Sequence, residues 1–152
     1  MEVKDIVKEA VTIGEEASFK DAIALMINEK TNSLLVTDGD GVLIGEVTVS
    51  DLLEAIVPEY LSGDSVAAHF ATGAMFDEAV EHAAEKQVQF FMTTDISPVQ
   101  ETESAMAVAA NAIAHRRVRI PVVDANGKPV GIISRRGLKH IIGNALHITD
   151  EK

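Results

Sequence analysis

Residues 45–51 read GEVTVSD, and residues 131–137, which lie 86 positions further along the chain, read GIISRRG. Both stretches begin with a glycine and carry a hydroxyl side chain three positions later, Thr48 in the first and Ser134 in the second. The first stretch ends in Asp51, whereas the second ends in Gly137. The shared pattern indicates an internal repeat, and the missing carboxylate indicates that the two copies do not carry the same chemistry.

The repeat extends far beyond these seven residues. Residues 15–56 align with residues 101–142 at the same offset without a gap. Identical pairs include Glu15/Glu101, Ser18/Ser104, Ile27/Ile113, Asp38/Asp124, Gly41/Gly127, Gly45/Gly131, Leu52/Leu138 and Ile56/Ile142. Self-similarity at a fixed offset is the signature of a repeated structural unit, so both copies are expected to fold alike.

Each copy is predicted to have the order strand, helix, strand, strand, helix. This order indicates a mixed α/β (α+β) fold. Ser18 and Ser104 are suited to cap the N-termini of the first helices, and Asp21 occupies the capping-box position in the first copy. Helical periodicity predicts that the core-facing residues of these two helices are Phe19, Ile23, Met26 and Ile27 in one and Met106, Ala109, Ala110 and Ile113 in the other.

The strands are predicted from short hydrophobic runs. Residues 10–13 (AVTI) and 95–99 (DISPV) supply the first strand of each copy. Residues 34–37 and 43–49 form a hairpin around the DGDG turn, and residues 120–123 and 130–133 form a hairpin around the DANG turn. The last helix of each copy is expected from Ser50 to about Ile56 and from about Arg135 to Ile142.

The segment between the repeats has no counterpart. The predicted boundaries are residues 1–57 for the first repeat, 58–87 for a connector and 88–146 for the second repeat. Within the connector, MFDEAVEHAAEKQ (residues 75–87) is typical of an amphipathic helix. The segment is longer than a plain loop, and the sequence leaves open whether it packs on the repeats or offers a partner surface.

The charge of the chain is acidic and uneven. The net charge of −11 argues against a general nucleic-acid binder. Residues 1–85 hold 4 Lys/Arg and 18 Asp/Glu, whereas residues 86–152 hold 9 Lys/Arg and 6 Asp/Glu. Because a phosphate needs positive charge or free backbone N–H groups, a site for an anionic ligand is expected to use the second half, chiefly HRRVR at residues 115–119.

Cellular location is constrained by what the composition omits. The chain has no cysteine, which excludes disulfides, thiolate metal sites and cysteine nucleophiles. No apolar run approaches the roughly 20 residues of a membrane span, and the charged N-terminal residues do not resemble a secretory signal. A cytoplasmic protein without membrane contact is therefore expected.

Two motifs together resemble a known family. VTDGDGVLIGEVTVSD (residues 36–51) and PVVDANGKPVGIIS (residues 121–134), each within a strand–helix–strand–strand–helix copy, resemble a pair of cystathionine-β-synthase (CBS) domains, the Bateman module. VQFFMTTDISPV (residues 88–99) is similar to the family's lead into a repeat, a short hydrophobic segment ending in a Met-Thr pair before a strand. The resemblance implies two pseudo-symmetric repeats packed as one stand-alone module that pairs into a homodimer.

The resemblance also implies two ligand clefts, each combining a hydroxyl and aspartate from one repeat with adenine and phosphate contacts from the other. The first cleft would use Thr48, Asp51, Ile96, Ser97, Pro98, Arg116, Arg117, Val118 and Arg119. The second, weaker cleft would use Ser134, Thr12, Thr31 and Asn32, with Gly137 in place of the aspartate and with Ala10, Val11, Lys30 and Ser33 nearby.

The chemistry of the first set fits an adenosine nucleotide. A carboxylate at a helix N-terminus can accept ribose hydroxyls, with each charge-assisted hydrogen bond contributing about 1.5–3 kcal/mol. Loss of a bidentate contact of this kind in the second cleft corresponds to about 30- to 1000-fold weaker binding. Arg135 and Arg136 leave open a phosphate or a different ligand there.

The expected function is a non-catalytic sensor of AMP, ADP or ATP that changes conformation or partner affinity when the ligand binds, without a cofactor. Two alternatives remain: a ligand-free docking or dimerisation module, and a sensor of S-adenosylmethionine or a dinucleotide. An enzyme is not favoured, because no nucleophile elbow or paired carboxylate motif is present. The five scattered histidines have no metal-ligand spacing.

Three of these signals also have purely structural interpretations. Asp51 could serve only the N-terminus of its helix, and HRRVR could be a solvated basic helix end. For Ser134, capping of the last helix is the favoured interpretation.

Overall fold

The computed structural model describes residues 2–57, 73–116 and 119–148. These residues form five α-helices and two three-stranded sheets, which confirms the predicted mixture of α and β structure. The chain divides into two compact units. The first unit comprises Val11–Gly39 and Ile44–Thr94, and the second comprises Met1–Ala10, Asp40–Leu43 and Asp95–Lys152.

The sheet of the first unit has the order β1 (Thr12–Gly14), β2 (Ser33–Thr37), β3 (Leu43–Thr48), with β1 and β2 parallel. Helix α1 (Phe19–Glu29) joins β1 to β2, and α2 (Val49–Ile56) follows β3. Part of the predicted connector forms α3 (Gly73–Ala83), which packs against α2 and buries Ala83 in the core of this unit. Residues 58–72 of the connector lie outside the described residues.

The sheet of the second unit has the order β4 (Val99–Gln100), β5 (Arg119–Val123), β6 (Pro129–Ser134), with β4 parallel and β6 antiparallel to β5. Helix α4 (Ala105–His115) precedes β5, and α5 (Arg135–Ala145) follows β6. The buried apolar cluster of this unit comprises Val3, Ile6, Val99, Val108, Ile120, Val122 and Ile133. The strand–helix–strand–strand–helix order predicted for each copy is thus confirmed.

The predicted caps and turns are confirmed. Ser18 Oγ accepts from the Asp21 N–H and an Asp21 carboxylate oxygen accepts from the Ser18 N–H, both at 3.1 Å. Hydrogen bonding of the Asp21 carboxylate to the Ser18 backbone N–H, and to a lesser extent to the Ser18 side chain, lowers the pKa of Asp21 below its usual value. The capping box therefore stabilises the fold at pH values above the ordinary pKa of an aspartate. This contribution is lost as the pH falls through the lowered pKa of Asp21. Gly41 and Gly127 close the hairpin turns with φ of 83° and 78°.

The predicted core face of α1 is partly wrong, and that of α4 is wrong. In α1, Phe19 and Met26 are buried, but Ile27 is 71% exposed. In α4, Met106 and Ile113 are 79% and 80% exposed, and Val108 is the buried residue. The physical reason is that α4 is apolar around most of its circumference, so periodicity alone does not select the face that packs.

Each repeat begins with a lead-in segment that belongs to the unit of the other repeat. The first lead-in segment, residues 3–8, contains a 3-10 helix (Val3–Ile6) and lies in the second unit. The second lead-in segment, residues 88–93, contains a 3-10 helix (Val88–Phe90) and lies in the first unit. Lys8 and Ile132 exchange two backbone hydrogen bonds of 2.8 and 2.9 Å, and Thr93 and Glu46 exchange two of 2.9 Å. The two lead-in segments are therefore exchanged between the repeats.

Glycine permits both of these approaches. A Cβ at Gly131 would overlap the Lys8 carbonyl oxygen and lie 2.7 Å from a methyl carbon of Val7. A Cβ at Gly45 would lie 2.7 Å from the Met92 sulfur and 3.0 Å from the Thr93 carbonyl oxygen. The glycine that opens each copy of the repeated motif is thus the point at which the other repeat's lead-in segment crosses the strand.

Within the described part of the chain, no helix is long and apolar enough to cross a membrane.

Candidate functional site

Asp51 and Thr48 form the N-terminal capping box of α2. The Asp51 Oδ2 atom accepts from the Thr48 N–H at 2.8 Å and from the Thr48 hydroxyl at 3.1 Å, and the Asp51 N–H donates to Thr48 Oγ1 at 3.4 Å. Both residues are half-buried. The structural interpretation of Asp51 as a helix-start carboxylate is therefore confirmed, while one edge of the same carboxylate still faces away from the helix.

That second edge contacts the lead-in segment. Asp51 Oδ1 accepts a hydrogen bond of 2.8 Å from the hydroxyl of Thr93, which is exposed. In the sequence, the Met-Thr pair precedes the second repeat, so its contact with a residue of the first repeat was not predicted. The signal that could have revealed it is Gly45, because a glycine within a strand permits the close approach of another backbone.

The matching position in the second unit cannot hold an aspartate without rearrangement. Ser134 caps α5 by accepting from the Gly137 N–H at 3.3 Å, which confirms the predicted cap. Gly137 is buried, and a Cβ there would lie 3.2 Å from the Ile6 Cβ and 3.3 Å from the Ile6 carbonyl oxygen. The space that the Asp51 side chain occupies in the first unit is thus bounded by the exchanged lead-in segment in the second.

We expect Gly137→Asp to lower stability rather than to create a second carboxylate site. The added side chain must displace Ile6, and overpacking of this kind costs about 1–3 kcal/mol. Thermal melting of the variant measures the loss, and titration with adenosine ligands measures any gained site. A variant that melts like the unmodified protein and binds a second ligand equivalent would contradict the prediction.

Ser97 has a strained backbone in the second unit. Its φ of 41° lies in the left-handed region, which costs a non-glycine residue roughly 1–2 kcal/mol. Its carbonyl oxygen accepts from Asn111 Nδ2 at 3.1 Å, and its hydroxyl lies 3.4 Å from His115 Nδ1. This conformation explains why residues 95–98 are not part of a strand and why β4 starts only at Val99.

Asn111 is a further candidate residue, which the sequence did not indicate. Its Oδ1 atom is buried and has no hydrogen-bond partner within the described residues. Buried polar atoms are nearly always paired, so an unpaired acceptor beside a strained residue is a candidate contact for a donor group. No motif in the sequence distinguishes this asparagine, because a polar residue in an alanine-rich helix has no special spacing.

The remaining residues predicted for the first cleft are distributed as follows. Ile96 is buried and Pro98 is exposed. Arg116 is exposed and caps the C-terminus of α4 with φ of 49°, and Arg119 is half-buried at the start of β5. Arg117 and Val118 lie outside the described residues. Thr48 and Asp51 thus belong to the first unit, and the other described members belong to the second unit.

The residues predicted for the second cleft are distributed in the opposite sense. Thr12, Thr31 and Asn32 belong to the first unit, and Ser134 belongs to the second. Thr12 is exposed on β1, and the Thr31 hydroxyl donates to the Ser33 carbonyl at 3.1 Å. The Asn32 carbonyl accepts from the N–H of Val49 at 3.3 Å. Lys30 ends α1 in the same left-handed conformation as Arg116 ends α4.

The internal repeat agrees with the family comparison. The model of the CBS domain family matches residues 3–58 and again residues 84–144. The chain therefore belongs to the CBS domain family and carries two CBS domains in tandem.

Two curated proteins are similar in sequence. The chain is 26% identical over 151 residues to an uncharacterized protein of Methanocaldococcus jannaschii, covering 91% of this chain and 89% of that protein. It is 28% identical over 142 residues to a homoserine O-acetyltransferase of Methanosphaerula palustris. This match covers 93% of the chain but only 24% of that enzyme.

Solved structures share the fold. A CBS domain-containing protein of unknown function from Kribbella flavida has a TM-score of 0.78 at 19% identity, covering 93% of this chain and 98% of that one. The structure of CBSX2 in complex with AMP has a TM-score of 0.68 at 23% identity, covering 95% of this chain and 98% of that one. The CBS domain pair of MJ0100 in complex with 5′-methylthioadenosine and S-adenosyl-L-methionine has a TM-score of 0.66 at 23% identity, covering 95% of this chain and 98% of that one.

Proposed function

We propose that this protein is a non-catalytic regulatory module that binds an adenosine nucleotide, AMP, ADP or ATP, through Thr48 and Asp51. The observation that carries the proposal is the half-buried Asp51 carboxylate at the start of α2, with Oδ1 next to the exposed Thr93. A ribose offers neighbouring hydroxyl donors, and hydrogen bonds to a carboxylate are stronger than those between neutral groups. Two structural neighbours that were solved with adenosine-containing ligands support this ligand class.

The second unit contributes its own candidate contacts, for an adenine edge and for phosphate. Ile96, Ser97 and Pro98 offer backbone groups in an irregular segment before β4. The buried Asn111 Oδ1 is an acceptor that has no hydrogen-bond partner among the described residues. Arg116 and Arg119 supply positive charge, and Arg117 and Val118 complete the proposed set. A carboxylate-poor, arginine-rich segment is suited to phosphate.

Ligand binding is proposed to act by linkage. A ligand that binds one conformation of the module better than another shifts the population toward it, by no more than its differential affinity. The regulated readout is then a change in conformation or in affinity for a partner. The second set, Ser134 with Thr12, Thr31 and Asn32, is proposed to bind more weakly because it has no carboxylate.

S-adenosylmethionine is the second candidate ligand. One structural neighbour contains S-adenosyl-L-methionine, and its ribose presents the same hydroxyls. The two candidates differ in charge, since a nucleotide is anionic and the sulfonium ligand carries no phosphate. Arg119→Ala is therefore expected to weaken AMP binding and to leave 5′-methylthioadenosine binding within about twofold, since that ligand has the same ribose but no anionic group for the guanidinium.

Titration calorimetry of the protein with AMP, ADP, ATP and S-adenosylmethionine tests the proposal. Saturable binding of one of them that weakens in Asp51→Ala supports an adenosine sensor. A double-mutant cycle with Asp51→Ala and Arg119→Ala measures whether the two residues act on the same ligand. Absence of heat with all four ligands, together with unchanged melting temperatures, would favour the ligand-free docking module.

We also propose that the protein forms a homodimer in which α5 of one copy binds α2 of another. An open groove of about 570 Å³ on α5 is lined by basic residues and by the apolar side chains Ile142, Leu146 and Ile148. On α2 the apolar side chains Val49 and Leu53 are exposed, and the neighbouring charges are acidic. Complementary charge around apolar surface favours this pairing over like-with-like contact.

A charge exchange tests the dimer. Glu54→Lys and Lys139→Glu are each expected to shift the protein toward monomer in sedimentation experiments, and the double variant is expected to recover the dimer. Ile27→Arg, which changes an exposed side chain on α1, is the control and is expected to leave the mass unchanged. A monomeric unmodified protein would refute this proposal without affecting the ligand proposal.

A further inference from the structure

The side chain of Thr93 is hydrogen-bonded to the Asp51 carboxylate, the candidate ribose-binding group. Its hydroxyl donates to Asp51 Oδ1 at 2.8 Å, and its backbone is fixed by two hydrogen bonds of 2.9 Å with Glu46. Asp51 is half-buried, whereas Thr93 is exposed. The threonine therefore presents an oriented hydroxyl at the solvent side of the carboxylate.

The acceptor capacity of Asp51 is largely used. A carboxylate offers about four lone-pair positions. The Thr48 N–H and hydroxyl use two on Oδ2, and the Thr93 hydroxyl uses one on Oδ1, so one remains on Oδ1. A ribose with both hydroxyls free donates two hydrogen bonds. A second acceptor beside Asp51 is needed to receive both without breaking the existing contacts.

We propose that Thr93 is this second acceptor, so that one ribose hydroxyl donates to Asp51 Oδ1 and the other donates to Thr93 Oγ1; this inference rests on the proposed function. A hydroxyl has one donor and two acceptor positions, so Thr93 can donate to Asp51 and accept from the ligand at once. Donation to an anion also makes the hydroxyl oxygen a better acceptor. Thr93 thus extends the ribose site from α2 to the lead-in segment.

Thr48 is less suited to this role. Its hydroxyl already donates to Asp51 Oδ2 and accepts from the Asp51 N–H at 3.4 Å, so it serves the helix cap. In the second unit, Lys8 pairs with Ile132 as Thr93 pairs with Glu46. That unit therefore lacks the aspartate and the threonine together, which is expected if the two side chains act as a pair.

The test compares AMP with its 2′-deoxy and 3′-deoxy forms on four proteins: the unmodified protein, Thr93→Val, Thr93→Ser and Thr94→Val. Valine keeps the shape of threonine without the hydroxyl, serine keeps the hydroxyl, and Thr94 is the neighbouring exposed threonine. Thr93→Val is expected to weaken AMP binding about tenfold. Thr93→Ser and Thr94→Val are expected to bind AMP within about twofold of the unmodified protein, because both keep the Thr93-position hydroxyl.

The deoxy ligands distinguish contact from a purely structural role. One of them is expected to bind Thr93→Val as tightly as it binds the unmodified protein, because it lacks the hydroxyl that donates to Thr93. A loss of affinity in Thr93→Val that is equal for all three ligands would overturn the proposal. Tighter AMP binding by Thr93→Val would also overturn it, because Thr93 would then compete with the ribose for Asp51. A lower melting temperature with unchanged affinity would also overturn it. If the unmodified protein binds no adenosine ligand, that result refutes the proposed function itself.

Discussion

Asp51→Ala is expected to weaken binding of the adenosine ligand by about 30- to 1000-fold, which corresponds to about 2–4 kcal/mol. The variant removes the direct charge-assisted hydrogen bond to ribose. It also leaves the Thr93 hydroxyl without the acceptor that orients it. Titration calorimetry of the purified variant with the ligand that binds the unmodified protein measures the effect.

Asp21→Ala is a matched control for this experiment. Asp21 occupies the same capping-box position on α1 that Asp51 occupies on α2, and each accepts from the backbone N–H of its cap residue. Both variants are expected to lose some stability, because each removes the carboxylate that completes a capping box. Only Asp51→Ala is expected to lose the ligand. Equal affinity losses in the two variants would show that helix stability, rather than contact, controls binding.

Gly131→Ala is expected to cause the largest loss of stability, at or above the upper end of the 1–3 kcal/mol range for overpacking, or roughly 6–12 °C in melting temperature. The new methyl group would overlap the Lys8 carbonyl oxygen, which belongs to the backbone and cannot move as a side chain does. Relief of the overlap breaks the two hydrogen bonds between Lys8 and Ile132. Thermal unfolding followed by circular dichroism measures the shift.

Two further glycine variants calibrate this result. Gly45→Ala is expected to cost less, because its nearest neighbour is the sulfur of the flexible Met92 side chain. Gly14→Ala is the control, since no atom lies within 4 Å of a Cβ built at that position. The predicted order of melting temperatures is Gly14→Ala highest, then Gly45→Ala, then Gly131→Ala. Melting of Gly131→Ala within a degree or so of Gly14→Ala would refute the close crossing of the lead-in segment.

Local features of the fold could be predicted from the sequence because their causes are local. Ser18, Ser104 and Ser134 cap helices through hydrogen bonds to residues three positions away. Gly41 and Gly127 have positive φ in short hairpin turns. In each case the residue type and its spacing contain the physical reason for the structure.

Features that depend on distant residues could not be predicted in this way. The core face of α4 depends on which side meets the sheet, and its alanine-rich sequence offers no contrast between sides. The contact of Asp51 with Thr93 joins residues 42 positions apart. The explanation of Gly137 needs Ile6, which the repeat pattern assigns to another copy. The aspartate was therefore identified as a candidate, but its partner was not.

The exchange of lead-in segments has a consequence for dissecting the protein. A fragment cut at the boundary between the repeats, such as residues 88–146, would lose the segment that pairs with β6 and would keep one that pairs elsewhere. Its sheet would have an unprotected edge, which promotes aggregation. Residues 11–94 instead contain every described part of the first unit, including the second lead-in segment, in a single continuous polypeptide. A fragment for independent study of the first unit must therefore end after the second lead-in segment, whereas the second unit requires residues 1–10 to be joined to residues 95–152.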